Sequence, residues 1–155
     1  MTVEICARGF SPYERLASYE RDVLGERCRA IGASASFIGS MRDHNEGEQV
    51  LEMTLEHYPG MTEQHLESIG AEAQNKWGLD DFLIVHRTGE VVPGDPIVLV
   101  AVWARHRAHA FDACRFIMED LKSKAPFWKK ELTGEGERWV TNNTPGTTEE
   151  FEANQ

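Results

Sequence analysis

A proline at position 126 interrupts an amphipathic helix and leaves lysines on both sides of the break. Residues 116–131 read FIMEDLKSKAPFWKKE. Upstream, Phe111, Cys114, Ile117, Met118 and Leu121 recur at three- to four-residue spacing, which predicts one apolar face of a helix over about 107–124. Pro126 has no N–H to donate and disfavours helical geometry at the residue before it, so Ala125 is predicted to be a bend and residues 127–130 an extended segment. Lys122 and Lys124 then precede a rigid corner, and Lys129 and Lys130 follow it.

Charge singles out the same stretch. The 155-residue chain has 16 Lys+Arg against 26 Asp+Glu, a formal net charge of -10. Residues 105–130 hold seven basic side chains (Arg105, Arg107, Arg115, Lys122, Lys124, Lys129 and Lys130) and three acidic ones (Asp112, Glu119 and Asp120), which makes that window +4 and the remainder -14. A cationic island on an anionic body concentrates a small anion or an acidic peptide tail, while the body repels nucleic acid. For Lys124 alone, complementing the helix dipole is an equally good explanation.

The length suits one domain, expected over residues 1–140. The last stretch, TNNTPGTTEEFEANQ at 141–155, has little to bury and is expected to be a flexible tail. No apolar run approaches membrane-spanning length and the N-terminus lacks secretory-signal features, so a cytoplasmic protein with no membrane or nucleic-acid partner is expected. Cys6, Cys28 and Cys114 form no CxxC pair and are expected to be small buried apolar residues rather than disulfide partners or zinc ligands. The six histidines lack metal-site spacing; His106 and His109 are three apart with no HExxH pattern, and no metal or cofactor is expected. GxSxG, P-loop and GxGxxG motifs are absent.

Patterning predicts strands near 3–8, 30–38, 49–57, 82–85, 97–103, 127–130 and 138–140, with helices over about 12–23, 62–77 and 107–124. Residues 30–38 read as a buried strand, and residues 39–47 as a polar loop. Ser11-Pro12 and Thr62-Glu63 are helix starts, and Gly25 and Gly78 are stops. The order is that of an α+β fold with mostly antiparallel strands.

His106 and Arg107 stand where a strand gives way to a helix, beside unpaired N–H groups that favour a phosphate or carboxylate. Arg42, in a loop after another strand, is placed to clamp the same kind of group. Arg107 and Lys122 lie 15 residues apart on one helix, about 22 Å, too far for one small ligand. Either they serve separate sites, or two copies of the chain complete each other's site across a two-fold axis.

Three separated motifs then converge. TLEHYPGMTE at 54–63, HRTGEVVPGD at 86–95 and FIMEDLKSKAPFWKKE resemble, in that order, the family of large, catalytic molybdopterin synthase subunits, over residues 30–140. The resemblance implies an α/β hammerhead-type fold and a homodimer that carries two small ubiquitin-like sulfur-carrier subunits, a heterotetramer in all. The carrier's C-terminal Gly-Gly thiocarboxylate would enter a pocket where two sulfurs pass to cyclic pyranopterin monophosphate, forming the dithiolene of molybdopterin in molybdenum cofactor biosynthesis without a metal. The family's two functional lysines match Lys122 and Lys129. Its substrate-contacting residues match Arg42, His106, Arg107, Lys130 and Glu131, with Ser40 and Met41 in the adjoining strand-to-loop segment. Ser40 departs from the pattern, where a longer, often basic residue is expected.

In that setting Lys122 is expected to meet the thiocarboxylate, and Lys129 to hold or protonate the pterin intermediate. Arg42, His106 and Arg107 are expected to anchor phosphate or pterin. Two readings from other classes stand beside it: a non-catalytic scaffold for a ubiquitin-like partner, and a small-anion sensor.

Overall fold

The computed structural model describes residues 1–141, so the expected tail beyond Thr141 lies outside the described residues. Two sheets organise the chain. The first has the strand order β1 (Thr2–Cys6), β5 (Asp81–Arg87), β7 (Pro96–Ala104) and β2 (Ala33–Ser40). The second has the order β3 (His44–Asn45), β4 (Glu48–His57), β8 (Phe127–Thr133) and β9 (Gly136–Trp139), and β6 (Gly89–Val91) also pairs with β4. Every pairing is antiparallel except β1 with β5.

β5 and β7 are buried on both faces, which is why they read as unbroken apolar runs. On one face, Phe82, Ile84, Val98, Val100 and Val102 pack against α2 (Met61–Trp77) and α3 (Arg107–Ser123) through Leu66, Ala73, Ala113, Ile117 and Leu121. On the other, Leu83, Val85, Leu99, Ala101 and Trp103 are covered by Tyr19 and Leu24. These two come from α1 (Pro12–Ser18) and its continuation, where the expected single helix becomes a π-helical turn, Tyr19–Leu24, and then a 3-10 turn, Gly25–Ala30. Ser11 caps α1 as expected, its hydroxyl accepting from the Glu14 N–H at 3.4 Å.

The expectation of a buried strand at 30–38 is corrected. β2 starts three residues later and lies at the sheet edge, with Ser34, Ser36, Phe37 and Ser40 exposed. Small side chains suit a covered strand and an edge strand alike, and only the pairing with β7 separates them. The expected loop at 39–47 contains the β3–β4 hairpin, whose turn places Glu46 and Gly47 both at positive φ, 52° and 82°. Such a turn matches the twist of the flanking strands. Cys28 is exposed rather than buried, whereas Cys114 is in the core. No described helix is long and apolar enough to cross a membrane.

Candidate active site

The proline corner forms as the sequence requires. α3 ends at Ser123, the Lys124 N–H donates to the Asp120 carbonyl at 2.8 Å, and β8 begins at Phe127. The corner is held from α2. The Thr62 hydroxyl accepts from the Tyr58 N–H at 3.0 Å and donates to the Pro126 carbonyl at 3.1 Å, and His65 pairs with the buried Asp120 carboxylate. The Pro59-Gly60 turn therefore has a structural role, because it delivers Thr62 to the corner. The Glu63 carboxylate steadies the turn by accepting the Gly60 N–H at 2.7 Å.

Between the end of α3, the start of β8 and the far end of β2 lies a cavity of about 570 Å³, within the range of small-ligand pockets. Strand alternation decides what β8 contributes. Phe127, Lys129 and Glu131 line the cavity, whereas Trp128 and Lys130 point the other way. Lys122 enters from the last turn of α3, while Ser40, Met41 and Arg42 enter from the end of β2. Met41 is pinned on both backbone sides, its N–H donating to the Asp95 carbonyl and its carbonyl accepting the Gly94 N–H, each at 2.9 Å.

Lys129 is the most perturbed amine. Burial, then the Lys122 ammonium within hydrogen-bonding reach, push it down to about 8; the Glu131 carboxylate opposes the shift. Glu131 is fully buried, and both of its oxygens are engaged. Oε1 accepts from Asn45 Nδ2 at 2.8 Å, and Oε2 accepts from Arg138 Nε at 3.1 Å. Such a carboxylate fixes β8 against the β3 hairpin and β9. His86 also lines the cavity, 3 % exposed, with its ring stacked on Phe127 at a centroid distance of 3.7 Å. Burial, and then Lys129 and Lys122, drive its imidazole down to about 3, so it is neutral.

Of the expected site residues, Ser40, Met41, Arg42, Lys122, Lys129 and Glu131 meet at this cavity, and His106, Arg107 and Lys130 do not. Lys130 pairs with Glu137 at 3.6 Å and lies 5.7 Å from the Trp139 ring centroid on the outer face of β8. His106 and Arg107 are exposed at the opposite end of α3 from Lys122. Sequence reasoning missed His86, Phe127, Asn45 and Arg138. The parity of 127, 129 and 131 along one strand was the available signal for Phe127.

The MoaE protein family matches residues 13–124. A molybdopterin synthase catalytic subunit from Ralstonia nicotianae is 60% identical over 110 residues, 71% of this chain and 62% of that protein. This chain belongs to the MoaE family. The family match starts within α1, ahead of the stretch that carries the sequence motifs, and stops before β8. A molybdopterin synthase catalytic subunit from Pseudomonas aeruginosa extends the likeness, 47% identical over 140 residues and 90% of each chain. The fold agrees: the solved molybdopterin biosynthesis MoaE protein of Burkholderia ambifaria MC40-6 superposes with a TM-score of 0.74 at 46% identity, covering 92% of both chains.

Proposed function

We propose that this MoaE-family chain is the catalytic subunit of a cytoplasmic molybdopterin synthase, moving sulfur from the C-terminal thiocarboxylate of a small ubiquitin-like carrier to cyclic pyranopterin monophosphate. The observation that carries the proposal is the convergence of Lys122 and Lys129 on one cavity, with Lys129 desolvated beside its neighbour. A scaffold has no use for two ammonium groups held together at that cost. An acyl sulfur donor and a phosphorylated acceptor do have one, because both are anionic and carbon–sulfur bond formation develops more negative charge. Cations fixed in advance stabilise that charge more than they stabilise the ground state.

In this reading Lys122, in the last turn of α3, receives the thiocarboxylate. Lys129, desolvated and able to exchange a proton near neutral pH, holds or protonates the pterin intermediate. Arg42 at the cavity rim takes the phosphate. Glu131 acts by holding β8 in place. His106 and Arg107 would reach a cavity only from a second copy of the chain, which makes the working unit a homodimer with a carrier on each subunit.

Reconstitution tests the reading. The chain mixed with a thiocarboxylated carrier and the cyclic pterin is expected to form the dithiolene, and Lys122→Ala or Lys129→Ala to lose about a hundredfold in rate, as when one charge-stabilising group is removed. Full activity in both variants overturns the assignment of the lysines.

A further inference from the structure

The cavity presents cations from three directions: Lys122 from α3, Lys129 from β8 and Arg42 from the end of β2. Every one of these groups is a hydrogen-bond donor. The Glu131 carboxylate already accepts from Asn45 and Arg138, one bond to each oxygen, and these hold it to the protein. His86 is different. Its Nδ1 lies 2.8 Å from the Arg87 carbonyl oxygen, which can only accept, so Nδ1 carries the proton and Nε2 carries a lone pair. Among the described residues no hydrogen bond reaches Nε2, although the residue is only 3 % exposed.

The ring cannot swing away. Phe127 stacks on it at 3.7 Å with the planes 17° apart, and the Arg87 carbonyl fixes its rotation. Arg87 is itself clamped, by Asp95 at 2.9 Å and the Glu90 carbonyl at 2.7 Å. The titratable groups facing the imidazole are Lys129 on β8, Lys122 on α3 and His57 on β4; burial first, and then their charge, disfavours a second proton. Nε2 is not one of the fully enclosed atoms left without a partner among the described residues, so on a ring that lines the cavity and is held rigid it stands as an acceptor open to a ligand donor.

We propose that His86 is a specificity-determining ligand contact, whose Nε2 accepts a hydrogen bond from an N–H group of the molecule bound in the cavity. The inference rests on the sulfur-transfer reading, which supplies two sources of that N–H: the amides of the carrier's Gly-Gly tail and the ring nitrogens of the pterin. The basic side chains select for negative charge without regard to the rest of the ligand. His86 adds the requirement for a donor at one point, and a site built to pair with a donor rejects an analogue that lacks it.

Equilibrium binding without turnover tests this, with cyclic pyranopterin monophosphate and a peptide ending in Gly-Gly titrated separately into wild type, His86→Phe and His86→Gln. Phe keeps the stacking and removes the acceptor; Gln returns an acceptor oxygen near the place of Nε2. His86→Phe is expected to weaken one of the two ligands by roughly tenfold to a hundredfold, with most of the loss recovered by His86→Gln, and the affected ligand names the source. The Nε2 nitrogen resonance of wild type is expected to shift upfield when that ligand binds. Equal binding of both ligands by wild type and His86→Phe, or an unmoved resonance at saturation, overturns the inference while leaving the sulfur-transfer reading intact. Wild type that binds neither ligand overturns both.

Discussion

The Thr62 hydroxyl donates to the Pro126 carbonyl at 3.1 Å, tying the first turn of α2 to the corner that separates Lys122 from Lys129. The two lysines are seven residues apart and face one cavity only because the chain reverses between them. Thr62→Val keeps the side-chain volume and removes both hydrogen bonds, leaving the Tyr58 N–H and the Pro126 carbonyl without this partner. A loss of about 1–3 kcal/mol in unfolding free energy is expected by chemical denaturation. Sulfur-transfer rate is expected to fall further than stability alone explains, because the corner also sets the distance between the amines.

Lys129 makes stability depend on pH in a particular direction. Its folded-state value of about 8 lies below the ordinary 10.5, so between those values the unfolded chain binds more protons than the folded one. Stability therefore rises with pH across that window as the strain of the buried charge is relieved. Lys129→Met is expected to be more stable than wild type at pH 7, by up to about 3 kcal/mol, with the gap closing by about pH 10.5. Comparing the two proteins removes the opposing contribution of Cys6 and Cys114, whose thiols burial pushes up to about 11 in both. A gap that does not change with pH would mean that the amine is not desolvated.

Since His106 and Arg107 lie at the far end of α3 from Lys122, a shared site requires two chains. Arg107→Ala and Lys122→Ala, each inactive alone, are expected to restore one of the two sites in each mixed dimer, up to about half of the wild-type dimer's activity, as composite two-fold sites allow. Subunit exchange verified by mass, with no recovery of activity, would place both residues in the same chain's site or remove Arg107 from it.

The sequence made the corner legible because one proline and a 3.6-residue period act locally, and the gathering of Lys122, Lys124, Lys129 and Lys130 around it follows from that segment; it was the family resemblance that singled out Lys122 and Lys129. Charge groups Lys130 with Lys129, yet a strand turns neighbours to opposite faces, and the period of two that separates them is present in the same residues. The edge position of β2 was not legible, because it depends on which strand β7 chooses as a neighbour. Nor was the parallel pairing of β1 with β5, which joins residues some eighty positions apart. The burial of His86 arises from a stack with Phe127, forty-one residues away, so a histidine that reads as one of six scattered rings becomes a cavity wall only after both sheets have formed.

Glu131 illustrates how a residue matched to substrate contact can act at one remove. Its carboxylate is shared between Asn45 on the β3 hairpin and Arg138 on β9, and Arg138 also reaches Glu48 at 3.0 Å and the Asn45 carbonyl at 3.0 Å. Glu131→Gln preserves shape and one acceptor oxygen, but it sets an amide NH₂ or a neutral oxygen against the guanidinium in a fully buried position. The expected cost is about 1–3 kcal/mol in stability, the range for a buried polar group left imperfectly paired. If Glu131 acts by fixing β8, kcat should fall while KM for the cyclic pterin stays near wild type, and Arg138→Gln should reproduce that split although Arg138 does not line the cavity. A rise in KM confined to Glu131→Gln would instead put the carboxylate in contact with substrate through its remaining lone pairs.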